Sequence, residues 1–484
     1  MSHVLIRRSG TLIDVSPDGR NPLDPRIVEL LRPQLTYEHK TLLRGHQRFS
    51  PDGTDRNIDI ETRNMYAMEG GRLVTGFGFL TSIAEILRDQ GITPHYIDLS
   101  PEVAPEVYTP DWDNCRQYID FRPKQEECLY YITQNECGLI NATMGFGKTH
   151  MFEAIAHLYP RAKIDIVVRP KDVAARLVRR LSRTIPNVGQ IGGGKKFRGD
   201  RVTIYTAGSV HHAQNSDANF LLGDEIHQLM TDQTARAMAE SWRWSRNFGF
   251  TATPEGRMDG ADAQLELFFG KQIFYLSYQE AAELGLVVPI HVRWIPVRSA
   301  YNPAAGKTGA TKMRWGIWRN DERNQKIAQD IRTNYQDPDT QILILVATID
   351  HAIMLWQHLP EFSLCYGSMA DEDQERYIRN NYLPQSFQPT TPDVRERMRN
   401  DFEAGTLKRV IATDVWATGV DFEQLQVLYR ADARASAIMD AQGPGRVSRI
   451  SPDSGKTRGE VVDCYDAFDK GFKRKSETRK CHYA

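Results

Sequence analysis

The run Ala142-Thr143-Met144-Gly145-Phe146-Gly147-Lys148-Thr149 follows an apolar stretch, Cys137–Thr143, and opens a segment rich in Ala and Phe. Gly145 and Gly147 allow backbone N–H groups to turn inward around phosphate oxygens. Lys148 supplies a compact positive charge to β- and γ-phosphates, and Thr149 offers a hydroxyl to Mg²⁺. Ala142 stands where the general phosphate-loop pattern begins with Gly. A second apolar run, Asn219–Gly223, leads directly into Asp224-Glu225-Ile226-His227. Two adjacent acids then stand at the carboxyl end of a strand, the edge where open α/β sheets bind ligands. Asp224 is suited to hold Mg²⁺ through water, and Glu225 to orient a water for in-line attack on a γ-phosphate. Two acids alone could cap a helix. Beside Lys148 they read as the hydrolytic set of an enzyme that uses ATP and Mg²⁺.

Further along, Thr251-Ala252-Thr253-Pro254 follows another apolar run, and its short hydroxyls are suited to linking the acidic motif to a second lobe. Ala412-Thr413-Asp414-Val415-Trp416-Ala417-Thr418-Gly419-Val420-Asp421 and Gln442-Gly443-Pro444-Gly445-Arg446-Val447-Ser448-Arg449 come later. Arg446 and Arg449, three apart, are expected on one helical face, from which guanidinium groups reach a phosphate and stabilise its developing charge.

GFGKT, DEIH, TATP, TDVWATGVDF and QGPGRVSR occur in the order and spacing of motifs I, II, III, V and VI of the superfamily 2 helicases, and the chain resembles that family over about residues 115–470. Phe121-Arg122-Pro123-Lys124-Gln125 looks like the family's adenine-reading motif. The resemblance implies Gln125 on adenine with Arg122 beside it, Gly145, Gly147, Lys148 and Thr149 on the phosphates, and Thr149 with Asp224 on the metal. It implies Lys148, Glu225, Arg446 and Arg449 as catalytic groups, the arginines acting as fingers, and Asp421 on the ribose or coupling the lobes. Thr418 stands where some members have Arg, which puts a phosphate contact there in doubt. A single strand in such proteins crosses both lobes, gripped by backbone N–H groups, hydroxyls and cations that do not read bases. The matching positions are Arg169, Pro170 and Lys171; Gly193, Gly194, Lys195 and Lys196; Thr206 and Ser209; and Thr348, Thr413 and Gly419.

Within the family the chain is similar to the UvsW-type phage helicases, through Gly71–Leu80 with the helix to Gly91, Ile191–Lys195 and Leu286–Pro289. That likeness implies a DNA helicase or translocase that remodels forks, junctions and R-loops in replication, recombination or repair, moving 3′ to 5′. Its partners are then single-stranded and branched DNA and RNA–DNA hybrids. The alternatives are an RNA helicase and the motor subunit of a defence or restriction assembly.

These groups need a scaffold. From Gln125 to about Pro289, short β-rich runs alternate with amphipathic stretches: Cys137–Thr143, Ile164–Val168, Val202–Tyr205, Phe220–Asp224 and Asn247–Thr251. A second series comprises Gln341–Ala347, Phe362–Tyr366, Arg409–Thr413, Gln426–Arg430 and Glu460–Tyr465. The expected fold is α/β: two RecA-like parallel-sheet lobes over residues 113–288 and 289–484, behind a small α+β substrate-recognition domain over 1–112. In that last region Ile58–Ile60, Arg72–Thr75 and His95–Ile97 read as strands around a helix from about Thr81 to Gln90. Lys40, Arg44, His46, Arg48 and Arg72, with Tyr37 and Phe49, suit a duplex or fork. All ATP chemistry lies after residue 120, so a chain begun near Trp112 is expected to remain an ATPase.

The 484 residues exceed one ordinary core, and 40% apolar with 25% charged residues is a globular balance. A net charge of −1 gives no global nucleic-acid signature, so such a surface must be local. No apolar run reaches membrane-span length, and Met1–Gly10 lacks a secretory signal, so a cytoplasmic protein of a bacterial or phage-infected cell is expected. Six scattered cysteines contain no CxxC pair, as expected for ordinary thiols. Two segments stay open between nucleic-acid contact and plain surface: the insertion at 378–394 and the basic tail from Lys470 to Lys475.

Overall fold

The computed structural model describes residues 4–17, 22–42, 58–143, 145–169, 171–229, 232–252, 263–299, 301–416, 422–435, 440, 443–451 and 455–483. They fall into two compact units, one ending at Glu280 and the other beginning at Ala281.

The first unit starts with β1 (Val4–Ser9), β2 (Leu12–Pro17), β3 (Thr36–Leu42), β4 (Ile58–Asn64), β5 (Tyr66–Glu69), β6 (Arg72–Gly76) and β7 (His95–Asp98). Five of them form a sheet in the order β5-β6-β2-β1-β7, antiparallel but for β7 on β1, while β3 and β4 pair as a separate ribbon. Period-two alternation sends Val4, Ile6, Ile13 and Val15 to one face. There they meet Ile27 and Leu31 of the helix Pro25–Leu31, and Ile83 and Leu87 of the helix Leu80–Asp89. Asp24 accepts from Arg26 N at 2.9 Å and Pro25 takes the first helical position, which fixes where the first of these helices begins.

The same unit carries an eight-stranded sheet: β8 (Cys137–Ala142), β9 (Ile164–Val168), β10 (Gly189–Gly192), β11 (Lys195–Phe197), β12 (Val202–Thr206), β13 (Phe220–Asp224), β14 (Arg246–Thr251) and β15 (Gln272–Leu276). The order is β11-β10-β12-β9-β13-β14-β8-β15, parallel except for β11. Helices cover both faces, so β9 and β12 are buried along their whole length. In a parallel sheet every strand ends at the same edge. Ala142, Val168, Thr206, Asp224 and Thr251 therefore share that edge.

The N-terminal sheet is built onto this lobe. Gly76 and Gly78 lie so close to the helix Ala263–Phe269 that a Cβ on either would strike the backbone of Leu267 or Glu266. Gln34 Nε2 donates to Glu266 at 2.9 Å, Ser82 donates to the same carboxylate, Gln264 Nε2 donates to Tyr37 Oη at 2.8 Å, and Arg8 pairs with Glu136. The helix so gripped seats Phe269 against Gly223 and Gly249, immediately behind the acidic motif. A chain begun at Trp112 would leave this helix without its contacts to the N-terminal sheet.

The second unit holds β16 (Ile290–Val297), β17 (Ile342–Leu345), β18 (Ser363–Cys365), β19 (Arg409–Ala412), β20 (Val427–Arg430) and β21 (Gly459–Asp466), parallel throughout in the order β16-β21-β20-β17-β19-β18. Three arginines are buried with their acids: Arg323 on Asp466 at 2.8 Å, Arg430 on Asp432 at 3.0 Å and Asp440 at 3.1 Å, and Arg479 on Asp463 at 2.8 Å. Arg479 belongs to the helix Lys470–Tyr483, so the basic tail is a docked helix. Tyr483 Oη donates to Asp463 at 3.1 Å and His482 Nδ1 lies 2.6 Å from Asp440, closing its end onto the lobe. The insertion also folds inward: Leu383 is buried, and Tyr382 and Phe387 pack with it, Tyr377 and Ile353. Its aromatic residues Tyr382 and Phe387 pack against the lobe's core.

Candidate functional site

Lys148 opens the helix Lys148–Leu158 after Gly147, which has φ +87. Gly145 has φ +100, so both glycines occupy the left-handed region that a side chain would strain. A Cβ on Gly147 would also lie 2.9 Å from Gln125 Nε2. Glu225 itself has φ +48, an uncommon conformation for a non-glycine residue, at the junction of β13 and the short helix Ile226–Leu229. This kink brings its carboxylate to Lys148: Nζ donates to Oε1 at 2.6 Å. The two principal motifs, 77 residues apart, thus meet.

Asp224 lies beside them. Burial pushes its carboxyl up to about 6, the Glu225 charge adding to the rise and Lys148 opposing it. Its Oδ1 is buried and accepts no hydrogen bond from the described residues. An unsatisfied carboxylate oxygen beside two charged groups fits a Mg²⁺ ion. That cation takes one or two protein oxygens and completes its shell with water and phosphate, so Asp224 and the Thr149 hydroxyl suffice as protein donors.

Gln125 is fully buried. Its Nε2 donates to the Phe146 carbonyl at 2.7 Å, and its Oε1 accepts from Arg122 N at 3.0 Å and lies 3.0 Å from His150 Nδ1. Arg122 Nη1 reaches the Gly145 carbonyl at 3.4 Å. In this geometry Gln125 and Arg122 brace the phosphate loop. His150, whose pKa is lowered by burial and then by Arg180, is a partner that the sequence did not reveal. Its place two residues after Lys148, on the turn facing Gln125, is the available signal.

His227 is the second residue missed. It is buried, with Nδ1 at 2.7 Å from Thr251 Oγ1 and 3.5 Å from Glu225 Oε2. Thr251 therefore ties to the acidic motif within its own lobe. Thr253 and Pro254 lie outside the described residues.

The strand-track positions separate into three kinds. Arg169 is exposed just past β9, and Gly193, Gly194, Lys195 and Lys196 form the exposed β10–β11 turn and the start of β11. Lys171 begins the helix Lys171–Leu181. Thr206 is buried and its hydroxyl lies 3.0 Å from Ser209 Oγ. In the second unit Thr348 caps the helix Ile349–Trp356, accepting from His351 N at 3.2 Å, and Thr413 is buried past β19, donating its N–H to the Cys365 carbonyl at 3.0 Å. Pro170, Thr418, Gly419 and Asp421 lie outside the described residues.

The arginines are not arranged as expected. Pro444–Arg446 is one 3-10 turn followed by irregular chain, so no single helical face carries both side chains. Arg446 is buried and donates from Nη1 to the Trp416 carbonyl, whereas Arg449 is partly exposed.

A mostly parallel sheet with a phosphate loop after one strand and paired acids after another defines a nucleotide-hydrolysing RecA-like lobe. Two family models match the chain: "Type III restriction enzyme, res subunit" over residues 118–256 and "Helicase conserved C-terminal domain" over residues 324–451. The chain belongs to the superfamily 2 helicases, which are nucleic-acid-dependent ATPases. No curated protein matches it. Among solved structures, it resembles S. cerevisiae Dbp5 bound to RNA and ADP BeF3, with 16% identity and a TM-score of 0.50 over 79% of this chain and 92% of that one. T4 UvsW aligns over 99% of this chain and 97% of that one, with 16% identity and a TM-score of 0.42. The Pyrococcus furiosus Hef helicase domain aligns over 72% and 97%, with 14% identity and a TM-score of 0.46. No helix among the described residues is long and apolar enough to cross a membrane.

Proposed function

We propose that the protein couples ATP hydrolysis to movement along DNA, 3′ to 5′, and remodels branched substrates such as forks, junctions and R-loops. The observation that carries the reading is the meeting of Lys148, Glu225 and Asp224 at one sheet edge, with Lys148 Nζ 2.6 Å from Glu225. On binding Mg–ATP, Lys148 and the N–H groups of the Gly145–Thr149 loop take the phosphates, Thr149 and Asp224 take the metal, and Glu225 aligns the attacking water. Gln125 and Arg122 hold the loop and are assigned to adenine; Asp421 is assigned to the ribose or to coupling the lobes. Arg446 and Arg449 stabilise charge on the transferred phosphoryl group. The preference for branched DNA is assigned to the N-terminal domain, which supports the same lobe that holds the acids.

The test is ATP hydrolysis and strand separation on single strands, forks, four-way junctions, RNA and RNA–DNA hybrids. Forks and junctions are expected to stimulate most. Stimulation by RNA alone would make the protein an RNA helicase. A second reading, the motor subunit of a restriction or defence assembly, is favoured by the family description that matches residues 118–256. A stable partner chain carrying a nuclease would decide for it.

A further inference from the structure

In the second unit, the helix Gly309–Met313 continues into a single π turn, Arg314–Trp318. Wide turns of this kind are rare and tend to occur where a side chain is held for a function. Here the turn is pinned from behind. Gly316 lies so close to the Phe472 ring that a Cβ would strike it, and Ile317 is buried with Ala304, Ala433 and Phe472. Lys312 pairs with Asp469 at 2.8 Å, and Asn320 Nδ2 donates to the Gly316 carbonyl at 3.0 Å. Arg319 grips Asp350 through Nε at 2.9 Å and Nη2 at 2.6 Å.

With that side anchored, Trp315 faces outward. Its exposure is 43%, and among the described residues it is the one exposed tryptophan. Arg314 beside it has a side chain 56% exposed, 4.0 Å from Asp350. Asp350 is already engaged by Arg319 and by Tyr377 Oη at 2.9 Å, so the Arg314 guanidinium is largely turned to solvent. The π turn packs against the helix Ile349–Trp356, whose first turn contains Asp350 and whose cap is Thr348. An exposed indole on a pinned turn, with an adjacent cation, thus stands next to the strand-end loop on which the single-strand path is proposed.

We propose that Trp315 is a stacking platform for one base of a single strand crossing this lobe, with Arg314 on the neighbouring phosphate. An indole face binds any base, so the contact adds affinity without sequence preference. The proposal rests on the reading of Thr348 as part of the strand path.

The experiment is fluorescence anisotropy with labelled oligothymidine and with an abasic strand of equal length, for wild type, Trp315→Ala, Trp315→Phe and Arg314→Ala, each first checked by thermal unfolding. Trp315→Ala is expected to weaken oligothymidine binding by about 5- to 150-fold and to leave abasic binding near wild type. Trp315→Phe restores most of the loss. Arg314→Ala makes the salt dependence shallower by about 0.7 in log–log slope. Equal oligothymidine affinity in wild type and Trp315→Ala, or an equal loss on the abasic strand, would overturn the proposal, and the exposed indole would then be assigned to a protein contact. Failure of wild type to bind oligothymidine at all would instead refute the single-strand reading beneath it.

Discussion

Glu225→Gln separates two roles of one carboxylate. Lys148 Nζ donates to Glu225 Oε1 at 2.6 Å, with 12% and 29% of the respective side chains exposed. To engage a triphosphate the ammonium must share or leave this partner. A charge-assisted hydrogen bond contributes roughly 1.5–3 kcal/mol, and partial exposure of Glu225 argues for the lower end. Glutamine keeps the shape but removes the charge, so Lys148 is released at little cost and repulsion toward the incoming phosphates falls. ATP should therefore bind up to about tenfold more tightly, the equivalent of ~1.4 kcal/mol. Hydrolysis should meanwhile be lost, because the amide cannot take a proton from the attacking water. Titration calorimetry with Mg–ATP and a steady-state assay measure the two effects. Weaker ATP binding in the variant would refute the competition argument, and turnover above a tenth of wild type would remove Glu225 from the reaction.

Three other outcomes follow from the packing. Arg446→Ala should reduce single-turnover hydrolysis by about a thousandfold or more while changing ATP affinity far less; a variant that loses only nucleic-acid binding would place Arg446 in the strand path. Gly78→Ala puts a methyl group into the Glu266 backbone and should lower stability by about 1–3 kcal/mol, read as an earlier urea transition of the first unit. An unchanged transition would mean that the N-terminal sheet is only loosely attached. Arg479→Ala leaves Asp463 buried without its guanidinium and should cost about 3–5 kcal/mol, visible as early melting of the second unit. Arg479→Lys, which lacks the planar fork, should recover only part of it.

Much of the site was legible because its chemistry is local in sequence: a glycine turn before a lysine and paired acids after a strand declare themselves in a few residues. The strands Ile164–Val168, Val202–Thr206 and Ile342–Leu345 were equally plain, since strands covered on both faces read as largely apolar, β-branched runs. Gly189–Gly192 and Lys195–Phe197 were not, because they look like a glycine-rich basic loop, and neither was Ile290–Val297, which contains His291, Arg293 and Pro296. The cohesion of the first unit also escaped, because Gly76 and Gly78 matter through a helix nearly 190 positions later, a proximity no local pattern encodes. His150 and His227 were hidden for the same reason: their roles depend on Gln125 and Thr251, which only the fold brings to them. A spacing of three suggests one helical face for Arg446 and Arg449, but the helical turn stops at Arg446, which spacing alone does not show.

The central claim is that Lys148, Asp224 and Glu225 form an ATP-hydrolysing centre driven by nucleic acid. Steady-state release of phosphate from Mg–ATP, with and without single-stranded and forked DNA, tests it most directly in wild type and Lys148→Ala. The expected result is low hydrolysis by wild type alone, strong stimulation by DNA, and no stimulated hydrolysis in Lys148→Ala. Wild-type turnover indifferent to DNA and RNA alike, or a Lys148→Ala variant that keeps more than a tenth of the stimulated rate, would contradict it.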